Sequence, residues 1–156
     1  MSTGSARVAL YADGACRGNP GVGGYGVVVV GDGFYEELKG ADRSTTNNRM
    51  ELSGIIAGFE LISNLGKERD LRGVHVVTDS QYVVKGMTEW LPNWQKRGWR
   101  TASRKPVLNR DLWERLVEVG RDHDVTWEWV RGHAGHPENE RCDELAGEAI
   151  DEFVAG

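Results

Sequence analysis

Four carboxylates stand at the ends of the elements that the sequence pattern predicts. Asp13 follows the strand-like run Arg7 to Ala12, and Asp79 follows the run Val74 to Thr78. Glu51 comes just after the cap-rich cluster Thr45-Thr46-Asn47-Asn48, and Asp143 stands early in the last helical pattern. Glu51 lies one turn before Ile55 and Asp143 one turn before Gly147, so both project from the edges of apolar stripes, where strand ends come within reach. Carboxylates without Cys or His companions are hard oxygen ligands that suit Mg²⁺ or Mn²⁺, ions that keep several waters and bind substrate phosphates. Two such ions can flank a phosphorus, one activating water and the other stabilising the leaving oxygen. Taken singly, any of these acids reads as a helix cap or a solvated surface group, and for Asp79 and Glu51 alone that is the favoured reading. Only a fold that assembles them makes a site.

The elements that would do so follow in order. Arg7 to Ala12 and Tyr25 to Val30 are strand-like, a Gly31-Asp32-Gly33 turn follows, and Phe34 to Lys39 reads as the hairpin partner. Leu52, Ile55, Ile56, Phe59 and Ile62 make an amphipathic helix with Gly66 as its stop. Val74 to Thr78 is a short β-branched run of the kind buried on both faces. A helix carrying Tyr82, Val83, Met87 and Trp90 inward should stop near Pro92, and another begins near Asn109 with Leu112, Leu116 and Val119 on one face. Val125 to Val130 alternates as a strand, and Pro137 opens a last helix striped by Cys142, Leu145, Ala146, Ala149, Ile150 and Phe153. The order β, β, β, α, β, α, α, β, α predicts an α/β fold with a mixed sheet covered by helices, whose sites lie at the carboxyl ends of strands.

The chain of 156 residues, 39% hydrophobic and 28% charged, fits a single compact domain and excludes a disordered or fibrous one. Its two cysteines form no CxxC, which points to a reducing compartment without a disulfide framework. The polar start and the short aliphatic run Val27 to Val30 predict no membrane span and a cytoplasmic protein. A net charge of −5 argues against nucleic acid until its distribution is seen. From Trp94 to Arg110 there are six cations (Lys96, Arg97, Arg100, Arg104, Lys105, Arg110) and no acid, whereas Glu138 to Glu152 carries seven acids against Arg141 alone. That asymmetry predicts a polyanion-binding face. Gly21 to Gly26 matches GxGxxG literally, but a strand-like run rather than a helix follows it, so a dinucleotide site is rejected.

Four stretches carry a resemblance: Tyr11-Ala12-Asp13-Gly14-Ala15-Cys16-Arg17-Gly18-Asn19-Pro20-Gly21, Thr45 to Leu52, Thr78-Asp79-Ser80-Gln81-Tyr82-Val83, and Gly132 to Ala146. In this order, over about Arg7 to Phe153, the chain resembles the bacterial type 1 ribonuclease H family. The resemblance implies a ribonuclease H fold, a five-stranded mixed sheet with helices on both faces, built as one catalytic domain over residues 1–156 and acting as a monomer. It also implies an endonuclease that hydrolyses the RNA strand of an RNA/DNA hybrid duplex with two Mg²⁺ ions, Mn²⁺ being a substitute, and leaves 3′-hydroxyl and 5′-phosphate ends. The family's metal ligands fall on Asp13, Glu51, Asp79 and Asp143, and its loop histidine falls on His133 rather than His136. A histidine there can carry a proton or help product leave.

Asn19, Asn47, Asn48 and Gln81 match family positions that contact the hybrid, where an amide can donate to and accept from a 2′-hydroxyl. Thr46 matches a position that holds a DNA-strand phosphate. The segment Trp90 to Arg100 resembles the family's basic handle, with Lys96, Arg97 and Arg100 meeting phosphates and Trp90, Trp94 and Trp99 bracing the handle or lying against sugars. Gln95 and Leu108 stand where relatives often carry lysine, Ala15 replaces a common serine, and an insertion is expected around Gly66 to Arg72. No separate hybrid-binding domain is expected before the core. Rival readings are another nuclease or transposase core of the same fold, disfavoured by the handle and the paired asparagines, and an inactive hybrid-binding module, disfavoured by the intact carboxylates.

Overall fold

A computed structural model describes residues 7–65, 71, 73–132 and 135–156. Five strands form one sheet: β1 (Arg7–Arg17), β2 (Gly21–Gly31), β3 (Phe34–Thr45), β4 (Gly73–Thr78) and β5 (Asp124–Trp129), in the order β3-β2-β1-β4-β5. The first three are antiparallel neighbours, and β4 and β5 run parallel to β1. The sheet is mixed, as expected. The parallel ladder between β1 and β4 ends at the pair Ala12 and Thr78, so Asp13 and Asp79 follow side by side at one edge.

Helix α1 (Asn47–Leu65) buries Leu52, Ile55, Phe59 and Ile62 against Val8, Leu10, Val27 and Val29. The predicted stop at Gly66, and most of the predicted insertion, lie outside the described residues. Helix α4 (Arg110–Gly120) buries Trp113 and Leu116 in the same core. Helix α5 (Pro137–Ala155) packs on β2, β1 and β3, where Cys142 and Leu145 meet Val28 with Tyr11 and Val30 beside them. Helices therefore cover both faces. No described helix is long and apolar enough to cross a membrane.

Several boundaries differ from the sequence reading, each for a physical reason. The glycine-rich stretch 21–26 does not merely lead into a strand that begins at Tyr25 but is the first half of β2, its residues 22–26 paired with β1 residues 13–17. Its glycines serve close packing: a Cβ at Gly26 would lie 2.1 Å from the Cys142 carbonyl oxygen, and one at Gly24 2.7 Å from that of Ala146. Strand β3 runs on to Thr45 instead of ending at Lys39, because an exposed edge strand needs no apolar alternation. The chain does not stop at Pro92: α2 (Gln81–Lys85) passes through one wide π-turn, Gly86–Trp90, into α3 (Leu91–Lys96). That turn sets Pro92 in the first turn of α3, where a missing N–H is tolerated. Phe153, placed on the stripe of the last helix, is 42% exposed near the end of α5.

Candidate active site

Asp13 comes from β1, Glu51 from the second turn of α1 and Asp79 from the end of β4, and one carboxylate oxygen of each lies within 4.8 Å of the others. Glycine makes this approach possible, since a Cβ on Gly14 would stand 2.6 Å from the Glu51 nitrogen. Asp143, on α5, does not join that trio. It lines with them an open cavity of about 420 Å³ that also takes in Asn47, Asn48, Ser80 and Gln81.

The electrostatics follow from crowding. Burial, and then the charges of Asp79 and Asp143, push the Asp13 carboxyl up to about 7. Burial and the charge of Asp13 also push Glu51 well above its ordinary value. Glu51 is only 5% exposed, and its Oε2 is buried without a hydrogen-bond partner. A buried carboxyl oxygen left without a partner among acids is costly unless a cation meets it. Asp13, Glu51 and Asp79 therefore fit a hard divalent ion, with Asp143 at the rim.

The predicted substrate residues surround this centre in two ways. Asn47, Asn48 and Gln81 are exposed on the cavity wall. Asn19 and Thr46 instead cap α1: Asn47 N–H donates to Asn19 Oδ1 at 3.0 Å, and Arg49 N–H to Thr46 Oγ1 at 3.2 Å. His133 lies outside the described residues, while His136 lines a smaller cavity with Asp13, Asp79 and Asp143.

In the handle, Lys96, Arg97 and Arg100 are exposed, and the tryptophans are half-buried braces. Ring centroids of Trp90 and Trp94 are 5.7 Å apart, those of Trp94 and Trp99 6.4 Å, and those of Trp94 and the core Trp113 5.3 Å. The handle thus grows from the core as a stiff aromatic stack.

Sequence reasoning missed residues whose roles are tertiary. Asn109, with φ 62°, donates to Tyr82 Oη at 3.0 Å and accepts from Arg49 at 3.3 Å, while Arg49 also grips Asp111 with both guanidinium nitrogens. This strut ties the start of α1 to the root of the handle. Asn139, one turn before Asp143, lines the smaller cavity with a buried, unpartnered Oδ1. Its i, i+4 spacing to Asp143 was a readable signal.

Comparison with known proteins agrees with this geometry. The family model described as RNase H matches residues 5–151. A ribonuclease H of Halorhodospira halophila is 57% identical over 148 residues, 95% of each chain. The crystal structure of LC9-RNase H1, described as a type 1 RNase H with the type 2 active-site motif, superposes with a TM-score of 0.83 at 38% identity, over 97% of this chain and 75% of that one. LC11-RNase H1, solved in complex with RNA/DNA hybrid, gives 0.74 at 25% identity, over 94% of this chain and 99% of that one. A match that spans all four carboxylates, with a relative more than half identical over nearly the whole length, settles the kinship: the chain belongs to the RNase H family.

Proposed function

We propose that this protein is an endoribonuclease that hydrolyses the RNA strand of RNA/DNA hybrids, using Mg²⁺ held by Asp13, Glu51, Asp79 and Asp143. The observation that carries this is the cluster of three acid oxygens within 4.8 Å, one acid having an orphaned, buried oxygen. The likeness to a relative solved with a hybrid supports the substrate class. When bound, two divalent ions supply Lewis-acid activation of water and neutralise charge at the scissile phosphate, and Mn²⁺ can stand in for Mg²⁺.

The protein's own groups prepare for this. Asp13, its pKa raised to about 7, is only partly ionised near neutral pH in the cation-free protein, and a bound cation would favour its charged form. Asn47, Asn48 and Gln81 present amides to 2′-hydroxyls from the cavity wall, and Asn19 and Thr46 fix the turn that carries the asparagines while Thr46 faces a DNA-strand phosphate. Lys96, Arg97 and Arg100 hold the DNA strand, with Trp90, Trp94 and Trp99 as their support. His133, carried over from the family motif, moves a proton or eases product departure. Water attack leaves 3′-hydroxyl and 5′-phosphate ends. The unit works as one monomeric catalytic domain in the cytoplasm.

Incubation with matched RNA/DNA, RNA/RNA and DNA/DNA duplexes, in Mg²⁺ or in chelator, tests the reading. Only the hybrid should be cut, and only with the cation. Comparable cleavage of DNA/DNA, or cleavage in chelator, would contradict it.

A further inference from the structure

Trp129 closes β5 and is a large aromatic left 42% exposed. Its pairing opposite Thr78 sets it beside Asp79, and its indole Nε1–H donates to the Asp79 main-chain carbonyl at 3.0 Å. An exposed indole N–H has water available, so this bond is not forced by burial. The same short segment holds the end of β4 elsewhere. Val130 N–H donates to the Thr78 carbonyl at 3.0 Å, and Gly132 comes so close that a Cβ there would stand 2.7 Å from Asp79 Oδ2. On the other side, Ser80 N–H donates to Thr78 Oγ1 at 3.1 Å. Asp79 lies one residue past the last ladder pair of β4, and its main-chain carbonyl is the atom that the indole holds.

We infer that Trp129 is a positioning residue for the reaction: its indole N–H fixes the peptide of Asp79 and so the aim of that carboxylate in the cation cluster. The inference rests on the cation site proposed above. Aim matters because Mg²⁺ demands near-ideal octahedral geometry at about 2.0–2.1 Å, and a carboxylate free to swing meets it less often. The exposed ring lets the N–H be removed without opening the core.

Trp129→Phe keeps a planar ring and removes the N–H, and Trp129→Ala removes both. Mg²⁺ affinity of the free protein is measured by titration calorimetry, with melting temperature and hybrid Kd in chelator, kcat across a Mg²⁺ series and KM at saturating Mg²⁺, beside wild type and Asp79→Asn. Trp129→Phe should bind Mg²⁺ about three- to tenfold more weakly, the range that one neutral hydrogen bond controls, with the Mg²⁺ concentration for half-maximal kcat raised to match. Its KM, hybrid Kd and melting temperature in chelator should stay at wild-type values, and Trp129→Ala should show the same weakening of Mg²⁺ binding. Wild-type Mg²⁺ affinity and a wild-type Mg²⁺ dependence of kcat in the Phe variant would overturn the inference. So would a raised KM at unchanged Mg²⁺ affinity, which would make the ring a substrate contact, or a drop in chelator melting temperature large enough to explain the loss. Failure of the site assignment itself reads out separately, as Asp79→Asn that still binds Mg²⁺ and cuts the hybrid.

Discussion

Asp13→Asn and Asp79→Asn are each expected to abolish hydrolysis while leaving the fold and hybrid binding in place. Each removes a charged oxygen from a cluster in which three acids converge within 4.8 Å. Losing a ligand forfeits several kcal/mol of transition-state stabilisation, about 10³-fold or more in rate. Hybrid Kd should stay within about threefold, because affinity resides in phosphate contacts elsewhere. Asp13→Asn carries a second expectation. The Asp13 pKa is raised to about 7 from an ordinary value of 3.8, so in cation-free protein its ionisation opposes folding. That opposition is absent below pH 4, grows as pH rises through the interval and is complete above 7. In chelator at pH 8 the Asn variant should therefore melt higher than wild type, by about 3 °C per kcal/mol of repulsion removed, and the gain should vanish near pH 4. Melting curves that run parallel from pH 4 to 8, or substantial cleavage at saturating Mg²⁺, would remove Asp13 from the site.

Replacing Lys96, Arg97 and Arg100 together by Ala should weaken hybrid binding without slowing the chemical step. All three cations are exposed, and none of them lines the carboxylate cavities. Each phosphate neutralised contributes about −0.9 to the slope of log affinity against log salt, so the slope should flatten by up to about three units. KM should rise about tenfold to a hundredfold, at roughly 0.5–1 kcal/mol per exposed contact. Single-turnover rates at saturating enzyme should match wild type. The measurement is hybrid Kd across a salt series beside those rates. An unchanged slope would make the segment a solvated loop, and a collapsed rate would place it in the catalytic centre.

What the sequence carried was the skeleton of the site. Asp13 and Asp79 follow strand-like runs, and helical spacing set Glu51 and Asp143 at the edges of apolar stripes; the fold brings the first three together and leaves Asp143 at the rim. What it hid has tertiary causes. A glycine that admits a helix backbone, as Gly26 admits Cys142, looks in sequence like a turn glycine. Pro92 ends a regular α-helix but not one that has just widened into a π-turn, and the pattern does not announce the widening. The alternation over Val125 to Val130 marked a strand, but not that β5 lies at the sheet's edge or that its last tryptophan turns to Asp79. The handle's tryptophans could brace or bind from sequence, and in the fold Trp94 packs edge-on against Trp113 while Trp90 and Trp99 pack against Trp94. The strut through Arg49, Asn109 and Tyr82 joins residues far apart in the chain, so no local spacing marks it.

The central claim, water attack on the RNA strand of a hybrid at the carboxylate cluster, is tested most directly with a hybrid that bears a distinct label on each strand. Wild type and Asp79→Asn are incubated with it in Mg²⁺, and the fragments are resolved by strand and by end group. Wild type should yield RNA fragments with 3′-hydroxyl and 5′-phosphate ends from an intact DNA strand, and Asp79→Asn should yield none. A cut DNA strand would contradict the substrate assignment, and RNA fragments ending in 2′,3′-cyclic phosphate would show attack by the neighbouring hydroxyl instead of water.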